Sequence, residues 1–224
     1  METTASEALP SRKPAGAIGE VEVKICGITS LADAEMCVRA GADALGLNFW
    51  RPGKRYCTPD AATRIASALG DAVELVGVFV DASCAEIEAI RAQTGIAWVQ
   101  AHGHEPAELL RALLPYAYKA VAVQSATDIA RARAYPGTRL LLDAYSPAVP
   151  GGSGQCFAWP LATELARERE LILAGGLRPD NVAEAIRVVQ PARVDVASGV
   201  ESSPGRKDAG LVRDFVAAVQ AAAR

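Results

Sequence analysis

Residues 21–30, VEVKICGITS, hold one copy of the pattern that predicts the fold of the whole chain. Apolar residues alternate with polar ones as in a short strand that ends at Cys26, and Thr29 or Ser30 can cap a helix that follows. A strand that runs directly into a helix is one β/α unit of a parallel sheet. This unit places a thiol at the carboxyl end of its strand.

The same pattern recurs along the chain about every 25 residues. We predict eight strands, at residues 21–26, 44–49, 74–80, 98–102, 119–123, 139–143, 171–174 and 194–198. Helices are predicted to begin near Leu31, Pro59, Ala85, Pro106, Ala126, Pro160, Asn181 and Asp208. Residues 1–19 have no hydrophobic period, so we predict a disordered N-terminal extension followed by one catalytic domain over residues 20–224.

Eight β/α units in about 200 residues favour a single-domain (β/α)8 barrel, the TIM barrel. A doubly wound open sheet is the alternative, but it usually has fewer strands, and its G-x-G-x-x-G fingerprint is absent after the first strand. Functional residues of a barrel lie at the carboxyl ends of the strands, an end that we call the mouth.

The composition argues against several kinds of partner and site. The net charge is −3 with positive and negative residues interspersed, which argues against a nucleic-acid partner. No apolar run is as long as a membrane-spanning helix, which needs about 20 residues. Five scattered cysteines and two histidines argue against a disulfide framework and against a metal site. We expect a cytoplasmic protein, monomeric or homodimeric, and small anionic ligands remain possible because local dipoles rather than net charge bind them.

Two turns at the ends of the last two predicted strands are rich in small residues. Gly175-Gly176 and Ser198-Gly199 let backbone N–H groups approach an anion, and a short helix N-terminus would add its dipole. The alternative is that these glycines only permit tight turns. The following ESSPGRKD stretch contains two cations that could flank a phosphate.

Two ionisable side chains at the mouth are candidates for acid–base chemistry. Asp143 ends an apolar strand, where partial desolvation would raise its pKa and suit a general acid, although it could equally cap a loop. Cys26 is either a packed thiol or, if a nearby helix N-terminus lowers its pKa, a thiolate.

Other polar segments also fall at predicted strand ends. The cationic loop 48–55 could hold a carboxylate or remain solvated. Gln100 and His102 alternate, so both can point into the mouth or be satisfied by neighbouring residues. Loop 151–154 belongs to a long Pro/Gly/Ser-rich segment of the kind that forms lids and binding elements.

Several of these segments together resemble one family from residue 21 to the C-terminus. The motifs are KICGIT at 24–29, RPGKRY at 51–56, VQAHG at 99–103, GGSGQCFAW at 151–159, LAGGLRPDNV at 173–182 and VDVASGVESSPGRKD at 194–208. In this order they resemble phosphoribosylanthranilate isomerases of tryptophan biosynthesis.

The resemblance implies a (β/α)8 barrel and a cofactor-free Amadori rearrangement. N-(5-phosphoribosyl)anthranilate would become 1-(2-carboxyphenylamino)-1-deoxyribulose 5-phosphate. The family's general base falls on Cys26, its general acid on Asp143, and its arginine that contacts the anthranilate part on Arg55. Further substrate contacts are assigned to Gln100, His102, Gly152, Ser153, Gly154 and Asp195, and phosphate contacts to Gly175, Gly176, Ser198 and Gly199.

Two other functions remain as alternatives. Indole-glycerol-phosphate synthase chemistry needs a lysine acid at the mouth, whereas Lys24 and Lys119 fall within predicted strands. The second alternative is a barrel that binds phosphate without catalysis. The presence of both Cys26 and Asp143 at strand ends argues against this alternative.

Overall fold

The computed structural model describes residues 20–144 and 158–222. Eight parallel strands close into a barrel in chain order, with β1 paired to both β2 and β8. The strands are β1 Glu22–Cys26, β2 Ala44–Asn48, β3 Glu74–Phe79, β4 Trp98–Ala101, β5 Ala117–Val123, β6 Arg139–Ala144, β7 Glu170–Leu173 and β8 Arg193–Val196.

Helices connect the strands and surround the barrel. They are α1 Leu31–Arg39, α2 Pro59–Leu69, α3 Cys84–Thr94, α4 Ala107–Leu113, α5 Ala126–Arg133, α6 Thr163–Glu168, α7 Val182–Val189 and α8 Ala209–Ala222. Their start signals act as the sequence indicates: Ser30 caps α1 by accepting from Asp33, and Thr58 caps α2 ahead of Pro59.

The main hydrophobic core lies between the strands and the helices. Residues such as Ile25, Leu45 and Leu140 point outward from the strands and are fully buried there. A smaller apolar cluster, which includes Val76, Leu141 and Ile172, fills the inside of the barrel. Outward-facing residues therefore hold the helices, and inward-facing residues form the interior and the mouth.

The structure confirms the predicted barrel, and the differences from prediction are local. β5 begins at Ala117, two residues before its predicted start. β8 ends two residues before its predicted end, because Ser198–Val200 form a short 3-10 helix. The sixth helix begins as a 3-10 turn, Trp159–Ala162. The predicted N-terminal extension lies outside the described residues.

A charged network lies inside the end of the barrel opposite the mouth. Glu74 of β3 is buried and accepts hydrogen bonds from Arg139 Nη1 at 2.9 Å and from Arg193 Nη1 at 2.6 Å. Arg139 also stacks on the ring of Trp98, with its guanidinium carbon 3.9 Å from the ring centroid. Burial alone would raise the pKa of Glu74, but the two arginines outweigh it and hold that pKa below 4.5.

Replacing Glu74 with alanine should destabilise the barrel strongly, because it removes the shared carboxylate from two cations that are mostly buried. Breaking such a buried ion pair costs about 3–5 kcal/mol of unfolding free energy. Urea unfolding followed by circular dichroism measures the loss. Glu170→Ala is the matched control, since its pair with Arg139 is on the surface and is worth about 1 kcal/mol or less. Equal losses in the two variants would contradict this account.

Candidate active site

A pocket lies at the mouth, inside the carboxyl ends of the strands. Its empty volume, counted together with the adjoining open solvent, is about 710 Å³. The predicted site residues that line it are Cys26, Arg55, Gln100, His102, Asp143, Gly175, Gly176, Asp195 and Ser198. Gly199 is next to Ser198, and Gly152, Ser153 and Gly154 lie outside the described residues.

Cys26 stands directly above a buried lysine of the same strand. Alternation along β1 points both Lys24 and Cys26 into the barrel. Lys24 is fully buried, and its Nζ donates to Asp195 Oδ2 at 2.7 Å and to Gln100 Oε1 at 3.0 Å. A Cβ on Gly46 would lie 2.7 Å from the Cys26 sulfur and 3.1 Å from the Lys24 nitrogen, so this glycine leaves room for both groups.

Burial and the Lys24 charge have opposite effects on the pKa of the Cys26 thiol. Burial raises the pKa of the thiol above its ordinary value of 9.0, and Lys24 counteracts this by favouring the thiolate. A helix N-terminus, the alternative considered from the sequence, does not bring this pKa below its ordinary value. Helix α1 begins only at Leu31, and Ser30 caps its first turn. The group that most favours the Cys26 thiolate is therefore the Lys24 cation. Burial alone would lower the pKa of Lys24, but Asp195 raises it, so Lys24 stays charged.

Asp143 is the last but one residue of β6 and is buried at the mouth. Its Oδ2 is 3.4 Å from His102 Nε2. On its other side, the backbone of Gly175 comes so close that a Cβ there would lie 2.8 Å from Asp143 Oδ1. Gly175 has a φ of +90°, which only glycine adopts readily. Its missing side chain thus makes room for the carboxyl group.

Gly175→Ala should lower turnover by about 100-fold, because the added Cβ overlaps Ala144 and displaces the Asp143 carboxyl group. Gly95→Ala is the matched control: its φ is +75°, but nothing lies within 4 Å of the added Cβ at the end of α3. Both variants should lose about 1–2 kcal/mol of stability from backbone strain, and Gly175→Ala should lose more because its Cβ would lie 2.2 Å from the backbone nitrogen of Ala144. Steady-state kinetics should find reduced kcat only in Gly175→Ala, and equal kcat values would contradict the placement of Asp143.

Arg55 is held at the edge of the pocket by an acidic partner. Its Nε and Nη2 donate to the two carboxylate oxygens of Glu201, each at 2.8 Å. Gly27, with a φ of +80°, lies against the Arg55 side chain so closely that any Cβ there would overlap it. Arg55 is therefore fixed in one orientation by Gly27 below it and by Glu201 beside it.

Of the two cations in the ESSPGRKD stretch, Lys207 lies beside the Ser198-Gly199 turn and is already paired there. Lys207 is buried, and its Nζ donates to Glu201 at 2.8 Å and to the carbonyl of Ala197 at 3.0 Å. Arg206 is exposed on a short hairpin formed by Glu201–Ser203 and Arg206–Lys207. Lys207 helps to hold Arg55 in place, because Lys207 and Arg55 both donate to the carboxylate of Glu201.

The two glycine turns pack against each other. Gly175 and Gly176 have φ values of +90° and +65°. Gly199 lies against the carbonyl of Leu177 so closely that no side chain could be added there. The turn after β7 and the 3-10 helix after β8 thus form one continuous edge of the pocket.

Comparison with known proteins decides the family. A family model described as N-(5'phosphoribosyl)anthranilate (PRA) isomerase matches residues 23–218. The chain belongs to this family. The protein is accordingly an isomerase of tryptophan biosynthesis with a (β/α)8 barrel, as the motif resemblance implies.

Individual PRA isomerases show how extensive the similarity is. The enzyme named N-(5'-phosphoribosyl)anthranilate isomerase from Geobacter metallireducens is 47% identical over 196 residues, covering 88% of this chain and 97% of its own. The crystal structure from Thermotoga maritima has a TM-score of 0.83 at 41% identity, covering 90% of this chain and 99% of its own. Another solved isomerase, with a TM-score of 0.79 at 39% identity over the same shares, contains reduced 1-(o-carboxyphenylamino)-1-deoxyribulose 5-phosphate.

The lysines needed by the alternative synthase chemistry do not reach the mouth. Lys24 is fully buried beneath Cys26 and paired with Asp195. Lys119 is buried on β5 and paired with Glu105 at 3.1 Å. Their positions agree with membership of the PRA isomerase family rather than with a lysine acid.

Sequence reasoning missed three structural parts of this family member's site. These are Lys24, Glu201 and the loop between β4 and α4, which includes His104 and Glu105 because α4 begins at Ala107. Glu105 accepts from the backbone N–H of Gly103 at 2.9–3.0 Å and pairs with Lys119, which fixes the loop next to His102. The available signal was a charged residue inside an apolar strand, which requires a buried partner.

The described residues offer neither a metal site nor a membrane span. Within residues 20–144 and 158–222, no cluster of three or more His, Cys, Asp or Glu side chains is arranged to bind a metal ion. None of the helices in these two ranges has the length and apolar character that crossing a membrane requires.

Proposed function

We propose that the protein catalyses the Amadori rearrangement of N-(5'-phosphoribosyl)anthranilate, with Asp143 as general acid and Cys26 as general base. The observation that carries the proposal is that these two groups line one pocket from β6 and β1 in a chain of this family. They also differ in ways that suit two roles, because Asp143 faces a histidine and Cys26 faces a buried cation.

The acid acts first in the proposed mechanism. Asp143 gives its proton to the ribose ring oxygen as the bond between that oxygen and C1′ breaks, and the aniline nitrogen supplies the electron pair that forms an iminium. The Cys26 thiolate then removes the proton from C2′, and the resulting enolamine tautomerises to the ketone. Such proton transfers by positioned groups each contribute about 10²–10⁴-fold to a rate.

The rest of the pocket would hold the two ends of the substrate. We assign the phosphate to the edge formed by Gly175, Gly176, Ser198 and Gly199, where closely packed glycines allow backbone N–H groups to approach an anion. We assign the anthranilate part to Arg55, which Glu201 orients. Binding energy from both ends can then orient the reacting carbons between Asp143 and Cys26.

Asp195 is assigned to the substrate as well as to Lys24. One of its oxygens accepts from Lys24, whereas the buried Oδ1 has no hydrogen-bond partner among the described residues. Asp195 lines the pocket, so a substrate hydroxyl can supply the missing donor. Gly152, Ser153 and Gly154 remain assigned to substrate binding from the sequence alone.

Activity should increase as the pH is raised from 6 to about 9, because burial holds the Cys26 thiol pKa above its ordinary value and higher pH supplies more thiolate.

Lys24→Met should move the thiol pKa further up and reduce kcat/KM near pH 7, since it removes the cation that favours the thiolate. The pH dependence of Cys26 alkylation, followed for that residue by mass spectrometry, measures this directly. The double variant Lys24→Met/Asp195→Asn controls for the unpaired carboxylate, and a lowered thiol pKa in either variant would contradict the assignment.

The proposed reaction is tested by following the fluorescence of phosphoribosylanthranilate that is generated in situ. Addition of the folded protein should consume it much faster than the spontaneous rate and produce the 1-deoxyribulose 5-phosphate compound. No acceleration would overturn the proposal and leave a phosphate-binding barrel without catalysis.

A further inference from the structure

We propose that His102 is a positioning residue whose ring proton is fixed on Nε2 by Gln100, so that an N–H group always faces the Asp143 carboxyl group. This inference rests on the proposed role of Asp143 as general acid. It follows from a chain of polar contacts that begins at Lys24, beneath Cys26, and ends at Asp143.

The orientation of the Gln100 amide is determined by its buried neighbours. Its Oε1 accepts from Lys24 Nζ at 3.0 Å and from the hydroxyl of Tyr118 at 3.0 Å. A charged lysine has donors only, so it cannot face the amide NH2 group without repulsion. Lys24, Gln100 and Tyr118 are all buried, so water cannot easily substitute for these bonds. The amide oxygen therefore points to Lys24, and the Nε2 group points the other way.

The amide in turn decides which ring nitrogen of His102 carries the proton. Gln100 Nε2 lies 2.7 Å from His102 Nδ1. Since Nε2 of the amide can only donate, Nδ1 must accept and is unprotonated. A neutral imidazole has one N–H, so the proton of His102 is on Nε2. This is the nitrogen that lies 3.4 Å from Asp143 Oδ2.

The fixed tautomer has a consequence for proton donation by Asp143. When the O–H bond of the carboxyl group breaks and its proton passes to the ribose ring oxygen, negative charge develops on the carboxylate. The His102 N–H can then shorten its contact to Oδ2 and stabilise that charge, while His102 keeps its own proton. Oδ2 thus faces the histidine, and Oδ1, beside Gly175, is the oxygen assigned to carry the proton to the substrate.

The tautomer can be observed directly because the chain has only two histidines. His104 is 97% exposed, so the variant His104→Gln removes the second set of signals without touching the pocket. Long-range ¹H–¹⁵N NMR of histidine-labelled protein near pH 7 should find His102 protonated on Nε2 and unprotonated on Nδ1. In Gln100→Glu, a carboxylate faces Nδ1 and attracts a proton to it, so the Nε2-only tautomer should be lost.

Kinetics test the consequence for catalysis. His102→Leu should lower kcat by about 10–100-fold, because Asp143 loses the donor that faces it. His102→Gln retains an N–H group near the position of Nε2 and should recover part of that loss. His104→Gln should retain the wild-type kcat. The partial rescue separates a donor role from mere filling of space, because both replacements of His102 remove the ring.

Each outcome decides between the two proposals. A proton on Nδ1, or a doubly protonated ring near pH 7, would overturn the tautomer assignment even if the protein turns over its substrate. The expected tautomer together with wild-type kcat in His102→Leu would overturn the positioning role alone. Absence of turnover in the wild type would overturn the proposed function, and with it this role, whatever the tautomer.

Discussion

Cys26→Ala is expected to lower kcat by about 10²–10⁴-fold, because it removes the group that takes the proton from C2′. Two nearby groups are committed elsewhere: Lys24 is charged and paired with Asp195, and Nδ1 of His102 faces Gln100. Cys26→Ser should be nearly as inactive, since a hydroxyl group ionises far less readily than a thiol. Steady-state kinetics with thermal unfolding by circular dichroism measures activity and folding in the same samples.

The fold should survive this replacement. Cys26 is only partly buried and faces the open mouth, so the lost sulfur leaves no sealed cavity. Cys84→Ala is the matched control, because this thiol is exposed at the start of α3 and does not line the pocket. Cys84→Ala should have wild-type kinetics. A folded Cys26→Ala with wild-type kcat would remove Cys26 from the mechanism.

Asp143→Asn is expected to cause a loss of similar size, about 10²–10⁴-fold in kcat, because an amide has the shape of the carboxyl group but no transferable acidic proton. Substrate binding should change much less, since the phosphate and anthranilate contacts are assigned to other residues. The comparison of kcat with KM therefore separates proton donation from binding.

The control for Asp143→Asn is Asp71→Asn, at an exposed turn before β3 and at the opposite end of the barrel. It makes the same chemical change outside the pocket and should leave kcat unchanged. If Asp143→Asn lowered affinity for substrate but left kcat unchanged, Asp143 would be a binding residue and the ring opening would need another acid.

Much of this fold could be predicted from local sequence. The start of α2, for example, is fixed by Thr58-Pro59, and the alternation along residues 22–26 fixes which side chains of β1 point into the barrel. Knowing that barrels carry their sites at the mouth then selects Cys26 and Asp143. These inferences need only neighbouring residues and one rule about architecture.

The polar network beneath the mouth could not be predicted in the same way. Lys24 meets Asp195 only because β1 pairs with β8 when the barrel closes, and the two residues are 171 positions apart. The sign of the Cys26 pKa shift depends on the balance between burial and this cation, which no local pattern reveals. The pairing of Lys207 with Glu201, six residues before it, likewise depends on how the last loop folds.

The most direct test of the central claim is one assay of three proteins. Phosphoribosylanthranilate is generated in situ, and its consumption is measured with wild type, Cys26→Ala and Asp143→Asn at equal concentrations of folded protein. The account predicts rapid consumption by the wild type and rates at least about 100-fold lower in both variants. A wild-type rate in either folded variant would contradict the assignment of base and acid, and no consumption by the wild type would contradict the reaction itself.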